Sequence, residues 1–142
     1  MNSLDKAKNI LKEEKFSFVA IKDLEVYTSK LNGVKPIMKK IRTEKEFFKE
    51  FIIADKVIGK AAAVLLIRSG VSHIHGVILS KHAQEIIEKN NVSYSYDTLV
   101  PCITNRNKDG MCPMESSVLE INNLEEAYIA ISKKIEELMS SR

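Results

Sequence analysis

Phe51–Gly70 reads FIIADKVIGKAAAVLLIRSG, the most apolar stretch of the chain, and its reading decides the fold. Apolar residues from Val57 to Ile67 cover most of a helical circumference, and a helix apolar all round is buried on more than one side. The pattern predicts a central helix from Asp55 to Ser69. Gly70 ends it, since glycine takes the left-handed conformation that closes many helices. Asp55, Lys56 and Lys60 then gather at the first turns. Gly59 weakens a helix by about 0.5–1 kcal/mol relative to alanine, and the usual gain is close approach of a backbone or ligand.

Around this helix the chain alternates. Ser3 to Glu14 predicts a helix with Ser3 as N-cap and Leu4, Ala7, Ile10 and Leu11 on one face. Phe16 to Ile21 is nearly all apolar, which predicts a strand covered on both faces. Lys22-Asp23 marks a turn, and Leu24 to Ser29 alternates as a second, antiparallel strand. Pro36 suits the first turn of a helix over Ile37–Arg42. Thr43 and Glu46 have the spacing of a capping box, which predicts another helical segment carrying Phe47, Phe48 and Phe51. Val71 to Ser80 reads as a strand, Ser80 caps a helix to Lys89, and Val92 to Val100 is a strand by β-branched and aromatic content. Pro101–Gly110 is the one long loop. Pro113 starts a short helix, and Asn123 caps the last one.

The order predicted is α-β-β-α-β-α-β-α: an α/β fold with a mixed sheet and helices on both faces, in a single domain over residues 1–142. The chain is long enough to bury about 68% of its unfolded surface, so neither disulfide nor metal is needed for stability. Lys and Arg number 22 against 19 Asp and Glu, a net charge of +3. The signs are mixed along the chain, which gives no support for nucleic acid binding. No apolar run is long enough to span a bilayer, and the N-terminus lacks an apolar leader. Cys102 and Cys112 form no disulfide framework. These features predict a soluble cytoplasmic protein with reduced thiols.

Two clusters carry potential chemistry. The first is the start of the central helix, where free N–H groups and the positive dipole end suit a phosphate or carboxylate. Asp55, Lys56 and Lys60 would line it. The competing reading is that Asp55 merely caps the helix and the lysines reach solvent. The second is the long loop and its sequel: Asn105, Arg106, Cys112 and Glu115. Arg106 has the fork geometry to clamp an anion. A thiol at a helix start gains thiolate character, which makes Cys112 a candidate nucleophile, with Asp55 or Glu115 as base or orienter. The alternative is a thiol that packs. His73 and His75 share a strand face, but with His82, Cys102 and Cys112 they match no zinc spacing, so neither metal nor cofactor is expected.

The segments ADKVIGKAAA (Ala54–Ala63) and MCPME (Met111–Glu115) resemble a small prokaryotic family of uncharacterised proteins with the cytidine deaminase-like fold. The resemblance spans essentially the whole chain and implies a three-layer α/β/α sandwich. Zinc deaminases carry H-x-E at the start of the central helix and P-C-x-x-C at the next one. Here Ala54-Asp55-Lys56 stands at the first motif, the helix after Ser80 has His82 but no cysteine, and Pro101-Cys102 lacks its second cysteine. The resemblance therefore implies a site location without the zinc chemistry. The leading expectation is a zinc-free domain binding a small anionic molecule, such as a nucleotide, at the central helix. A Cys112-dependent transferase or hydrolase is the alternative, so catalysis stays open. A third reading is a structural or regulatory subunit whose helices and hairpin edge serve a partner or a homo-oligomer.

Overall fold

A computed structural model describes residues 2–13, 15–105 and 107–140. The elements run α1 (Ser3–Glu13), β1 (Phe18–Lys22), β2 (Glu25–Ser29), α2 (Lys35–Ile41), β3 (Ile52–Ile58), α3 (Lys60–Ser69), β4 (His73–Ser80), α4 (Lys81–Lys89), β5 (Ser93–Val100), α5 (Pro113–Ser117) and α6 (Leu124–Ser140). The five strands form one mixed sheet in the order β2-β1-β3-β4-β5. β1 is antiparallel to both β2 and β3, whereas β3, β4 and β5 run parallel. This is the α/β sandwich that the sequence predicts, with one strand more.

That extra strand comes from the decisive stretch. Its first half, Ile52–Ile58, is the central strand of the sheet and not the first turns of a helix. The helix starts at Lys60, with Gly59 in extended backbone as its N-cap. Asp55 and Lys56 are therefore strand residues. Gly59 is required here for space: a Cβ on it would lie 2.9 Å from Ile103 Cγ1 and 3.3 Å from a Glu115 carboxylate oxygen. Two local expectations also change. Asn2, not Ser3, caps α1, its Oδ1 accepting from Asp5 N–H at 2.8 Å. Thr43 and Glu46 start no helix. Residues 42–50 form consecutive turns, and the Thr43 hydroxyl bonds back to the Lys40 carbonyl at 3.4 Å.

Those turns position an aromatic cluster. The fully buried Phe48 meets Phe18, Phe47 and Phe51 edge-on at centroid distances of 5.6, 4.9 and 6.0 Å. Its backbone N–H, which no helix satisfies, donates to the buried Ser69 hydroxyl at the end of α3. Hydrophobic contact outweighed the local capping signal, as it commonly does when the two compete.

The two faces of the sheet are covered unequally. The larger core joins Phe18, Ile53, Ile58, Ile74 and Leu79 of the sheet to α2, α3, α4 and α6. The smaller one, Ala7, Leu11, Val19, Ile21 and Ala54, lies under α1 alone. α6 is pinned to α3 through Arg68, whose Nε and Nη2 donate to Glu125 at 3.1 Å each while the guanidinium lies 4.0 Å over the Tyr128 ring. Among the described residues no helix is long and apolar enough to cross a membrane.

Strand pairing is interrupted at one level across three strands. The register runs through Asp55 with Gly76 and Gly76 with Tyr96, skips Lys56, Val77 and Asp97, and resumes at Val57, Ile78 and Thr98. Side-chain alternation slips by one there, so Ile53 and Ile58, five apart, enter the same core. Truncating the hub of the aromatic cluster, Phe48→Ala, should cost about 3–5 kcal/mol, measured as a lowered urea midpoint at unchanged slope.

Candidate functional site

The start of α3 leaves the N–H groups of Lys60, Ala61 and Ala62 without intrahelical partners. The chain supplies its own anion for the first. Glu115, only 1% exposed, accepts from Lys60 N–H at 2.9 Å and from the Ser80 hydroxyl at 2.5 Å through one carboxylate oxygen. Its second oxygen accepts from Ile103 N–H at 2.6 Å. Ser80 in turn caps α4 by accepting from Ala83 N–H at 3.0 Å. One carboxylate thus ties the starts of both central helices to the long loop. Three donors and the dipole of α3 stabilise its charge in a buried setting.

Beside this knot lies a cleft of about 210 Å³, lined by Gly33, Val34, Val57, Gly59, Ala61, Ala62, Ile103, Cys112, Met114 and Glu115. Its walls are mostly apolar. Cys112 occupies the N-cap position of the short α5, and its thiol is half-buried.

The other residues singled out in the sequence go elsewhere. Lys60 does not line this cleft: its Nζ donates to the Leu119 carbonyl at 3.0 Å and to Asn122 Oδ1 at 2.9 Å. Burial, followed by the charge of Lys89, holds its ammonium below the ordinary lysine range. Lys56 is on the opposite side of the sheet, in a groove with Lys8 and Lys12 of α1. Asn105 pairs with Asp109 across the loop at 2.9 Å and is not part of the cleft. Arg106 lies outside the described residues. The expected single site is therefore divided, and among its described residues only Cys112 and Glu115 line the cleft together.

Asp55 caps no helix, since it lies within β3, and it does not line the cleft. It is 6% exposed and sits on β3 between Phe18 and Gly76 of the flanking strands. Oδ1 accepts from Val57 N–H at 3.3 Å, where the ladder is interrupted, while Oδ2 is buried with no partner. Burial pushes its pKa from the ordinary 3.8 to about 8, against smaller lowering contributions from the Val57 and Lys56 backbone amides. The side chain replaces a missing ladder bond, a common use of aspartate.

The reading from sequence missed the relation between His73-x-His75 and Ser93-x-Ser95-x-Asp97. These residues share one sheet face on neighbouring strands. Both motifs were visible as period-two patterns, but which strand lies beside which was not. Among the described residues no group of three or more His, Cys, Asp or Glu side chains could hold a metal.

Residues 6–135 match the family model for TM1506, a domain of unknown function (DUF1893). A solved structure of a DUF1893 family protein (TM1506) from Thermotoga maritima superposes with a TM-score of 0.84 at 30% identity, covering 94% of this chain and 92% of that one. No curated protein matches.

Glu115→Ala strands three donors and should destabilise the fold by about 3 kcal/mol or more, whereas Ser80→Ala removes one donor and should cost about 1–2 kcal/mol. Chemical unfolding of the two variants gives the comparison, and equal losses would contradict the cross-tie. Asp55 gives a pH signature. Its folded pKa lies above the unfolded value, so the stability it confers is full below about pH 3.8 and is lost as pH rises towards about 8. Asp55→Asn keeps the acceptor for Val57 and loses the charge. Its melting temperature should exceed that of the wild type increasingly from pH 5 to 8, and parallel pH curves would refute the assignment.

Proposed function

The chain belongs to the TM1506 family, a domain of unknown function (DUF1893), and on that premise we propose that it is a zinc-free, deaminase-like domain that binds a small nucleotide-type ligand in the cleft at the start of α3. The observation that carries this reading is the pairing of a buried carboxylate with helix-start amides on one small cleft wall. Glu115, Ala61 and Ala62 all line it. Ala61 and Ala62 N–H groups have no partner within the helix and suit an oxygen acceptor. The second Glu115 oxygen accepts one bond, from Ile103, and has capacity for a ligand N–H. An acceptor beside a donor is the edge presented by a nucleobase.

Size and charge refine the anionic expectation. Glu115 already offsets the positive end of α3, so that end gains less from a phosphate than a free helix start would. A cleft of about 210 Å³ takes a base rather than a whole nucleotide. A nucleotide would enter base first, its phosphate outside. The position, at the carboxyl ends of parallel strands, is where open α/β sheets generally bind ligands. It also matches the paired helix starts at which zinc deaminases hold their metal.

A second reading rests on Cys112, which lines the same cleft: a transferase or hydrolase whose thiolate bonds to the transferred group of the substrate as the bond to its leaving group breaks, the group then passing from sulfur to an acceptor or to water. Alkylation protected by ligand, together with a mass shift on Cys112 after turnover, would favour it.

Nitrogen-15 spectra of the protein titrated with bases, nucleosides and nucleotides test the proposal. Shifts should concentrate on the amides of Gly59, Ala61, Ala62 and Ile103, and Cys112→Tyr, which fills the cleft, should abolish them. Silence of those amides to every compound at millimolar concentration would overturn it.

A further inference from the structure

α1 packs on β1 and β3 and stops short of β4 and β5 on its side of the sheet. The result is a groove of about 720 Å³ between α1 and the exposed strands, within the usual range for ligand sites. We propose that this groove, which shares only Val57 with the cleft, is a second binding site, for a small organic phosphate.

Charge comes first. Lys8 and Lys12 of α1 and Lys56 of β3 line the groove, against one carboxylate, Asp97. The floor is apolar where Val77 and Ile78 both face the groove. Consecutive strand residues normally point to opposite faces. Here both line it because the alternation slips at the interrupted level of β3, β4 and β5. Three cations around an apolar floor suit a phosphate carried on a flat apolar body.

The second support is a fixed donor. His75 is 1% exposed, yet it lines the groove. Its Nδ1 lies 2.7 Å from the Ser95 hydroxyl, which is also 2.9 Å from His73 Nε2, while His73 Nδ1 lies 2.7 Å from the Ser93 hydroxyl. Ser95 has one proton to give, so at most one of the two rings can accept from it. Asp97 decides which. Its carboxylate stands 3.6 Å from His75 Nε2, which favours a proton on that nitrogen. His75 Nδ1 then accepts from Ser95, His73 Nε2 donates to Ser95, and Ser93 donates to His73 Nδ1. All four groups are satisfied in one direction. At 3.6 Å the Nε2–H is too far from Asp97 for a good hydrogen bond, so its bonding capacity is left for a ligand that moves the exposed Asp97 side chain aside to reach the buried ring. Burial, then the nearby Lys8, keep the His75 ring below the usual histidine pKa, so it donates as a neutral group. A buried ring locked by its neighbours is a preorganised contact, and preorganisation lowers the entropy lost on binding.

The test is a titration of the full chain, followed through the histidine imidazole nitrogens, with adenosine 5′-monophosphate, adenosine and inorganic phosphate. The expected result is a saturable shift of His75 Nε2 with the monophosphate, a weaker one with phosphate and the weakest with adenosine. Lys8→Ala and Lys56→Ala should each weaken the monophosphate by about tenfold, and both are surface changes that leave the fold intact. Cys112→Tyr, which blocks the cleft, should leave this response unchanged. The proposal is overturned if His75 stays silent to about 10 mM monophosphate, an affinity too weak to matter. It is equally overturned if Lys8→Ala and Lys56→Ala both bind as the wild type does, or if Cys112→Tyr abolishes the His75 response.

Discussion

The Glu115 carboxylate is the constraint on which the site depends. It enters from a five-residue helix far along the chain and closes on Lys60 N–H, the Ser80 hydroxyl and Ile103 N–H. Each donor belongs to a different element: the start of α3, the cap of α4 and the long loop after β5. Leaving all three unpaired in a buried site is costly, so the loop is held against the helices by polar satisfaction as much as by packing. The cleft exists because the loop is held there. Gly59 fits the same logic, since any side chain at that position would push on Ile103 and on the carboxylate itself.

This cross-tie also changes the chemistry of a helix start. Two neighbouring helix N-termini at a sheet edge make a strongly positive place. Here a resident carboxylate, Glu115, meets the start of α3 and the cap of α4 at that place. Lys60, which looks from sequence like a cation for a ligand, reaches away to Leu119 and Asn122. Its role is to fasten the segment between α5 and α6 against α3.

The class of fold and most elements were legible, because the hairpin, the Ser80 and Asn123 caps and the alternating strands are local signals. The decisive stretch was misjudged in its first half for a physical reason. A strand buried on both faces and a helix buried all round are both continuous apolar runs, and periodicity does not separate them. The discriminating cue was β-branching: Ile52, Ile53, Val57 and Ile58 precede Gly59, whereas alanines follow it. The capping-box pattern at Thr43 failed because Phe47 and Phe48 gain more from the aromatic cluster than a helical turn would return. For the site, Cys112 and Glu115 were legible as residues beside a helix start, while the Glu115 bonds were not, since they join residues 55, 35 and 12 positions apart. The histidine and serine patterns were each visible, but their meeting depends on β4 lying next to β5.

The interrupted level of the sheet links the two faces. At Lys56 the backbone N–H turns to the Ser17 carbonyl, and at Val57 it turns to Asp55 Oδ1, so neither is left unpaired by the break. Asp55 therefore carries a structural burden on the helix-rich face, and its orphaned second oxygen is the cost of placing a carboxyl there. On the other face the same slip turns Lys56 with Val57, and Val77 with Ile78, into one groove. An uninterrupted sheet would bury one member of each pair. The break thus gives β3 and β4 a cation and an apolar floor on a surface that regular strands would have made alternate, and the carboxyl of Asp55 is what lets the backbone tolerate it.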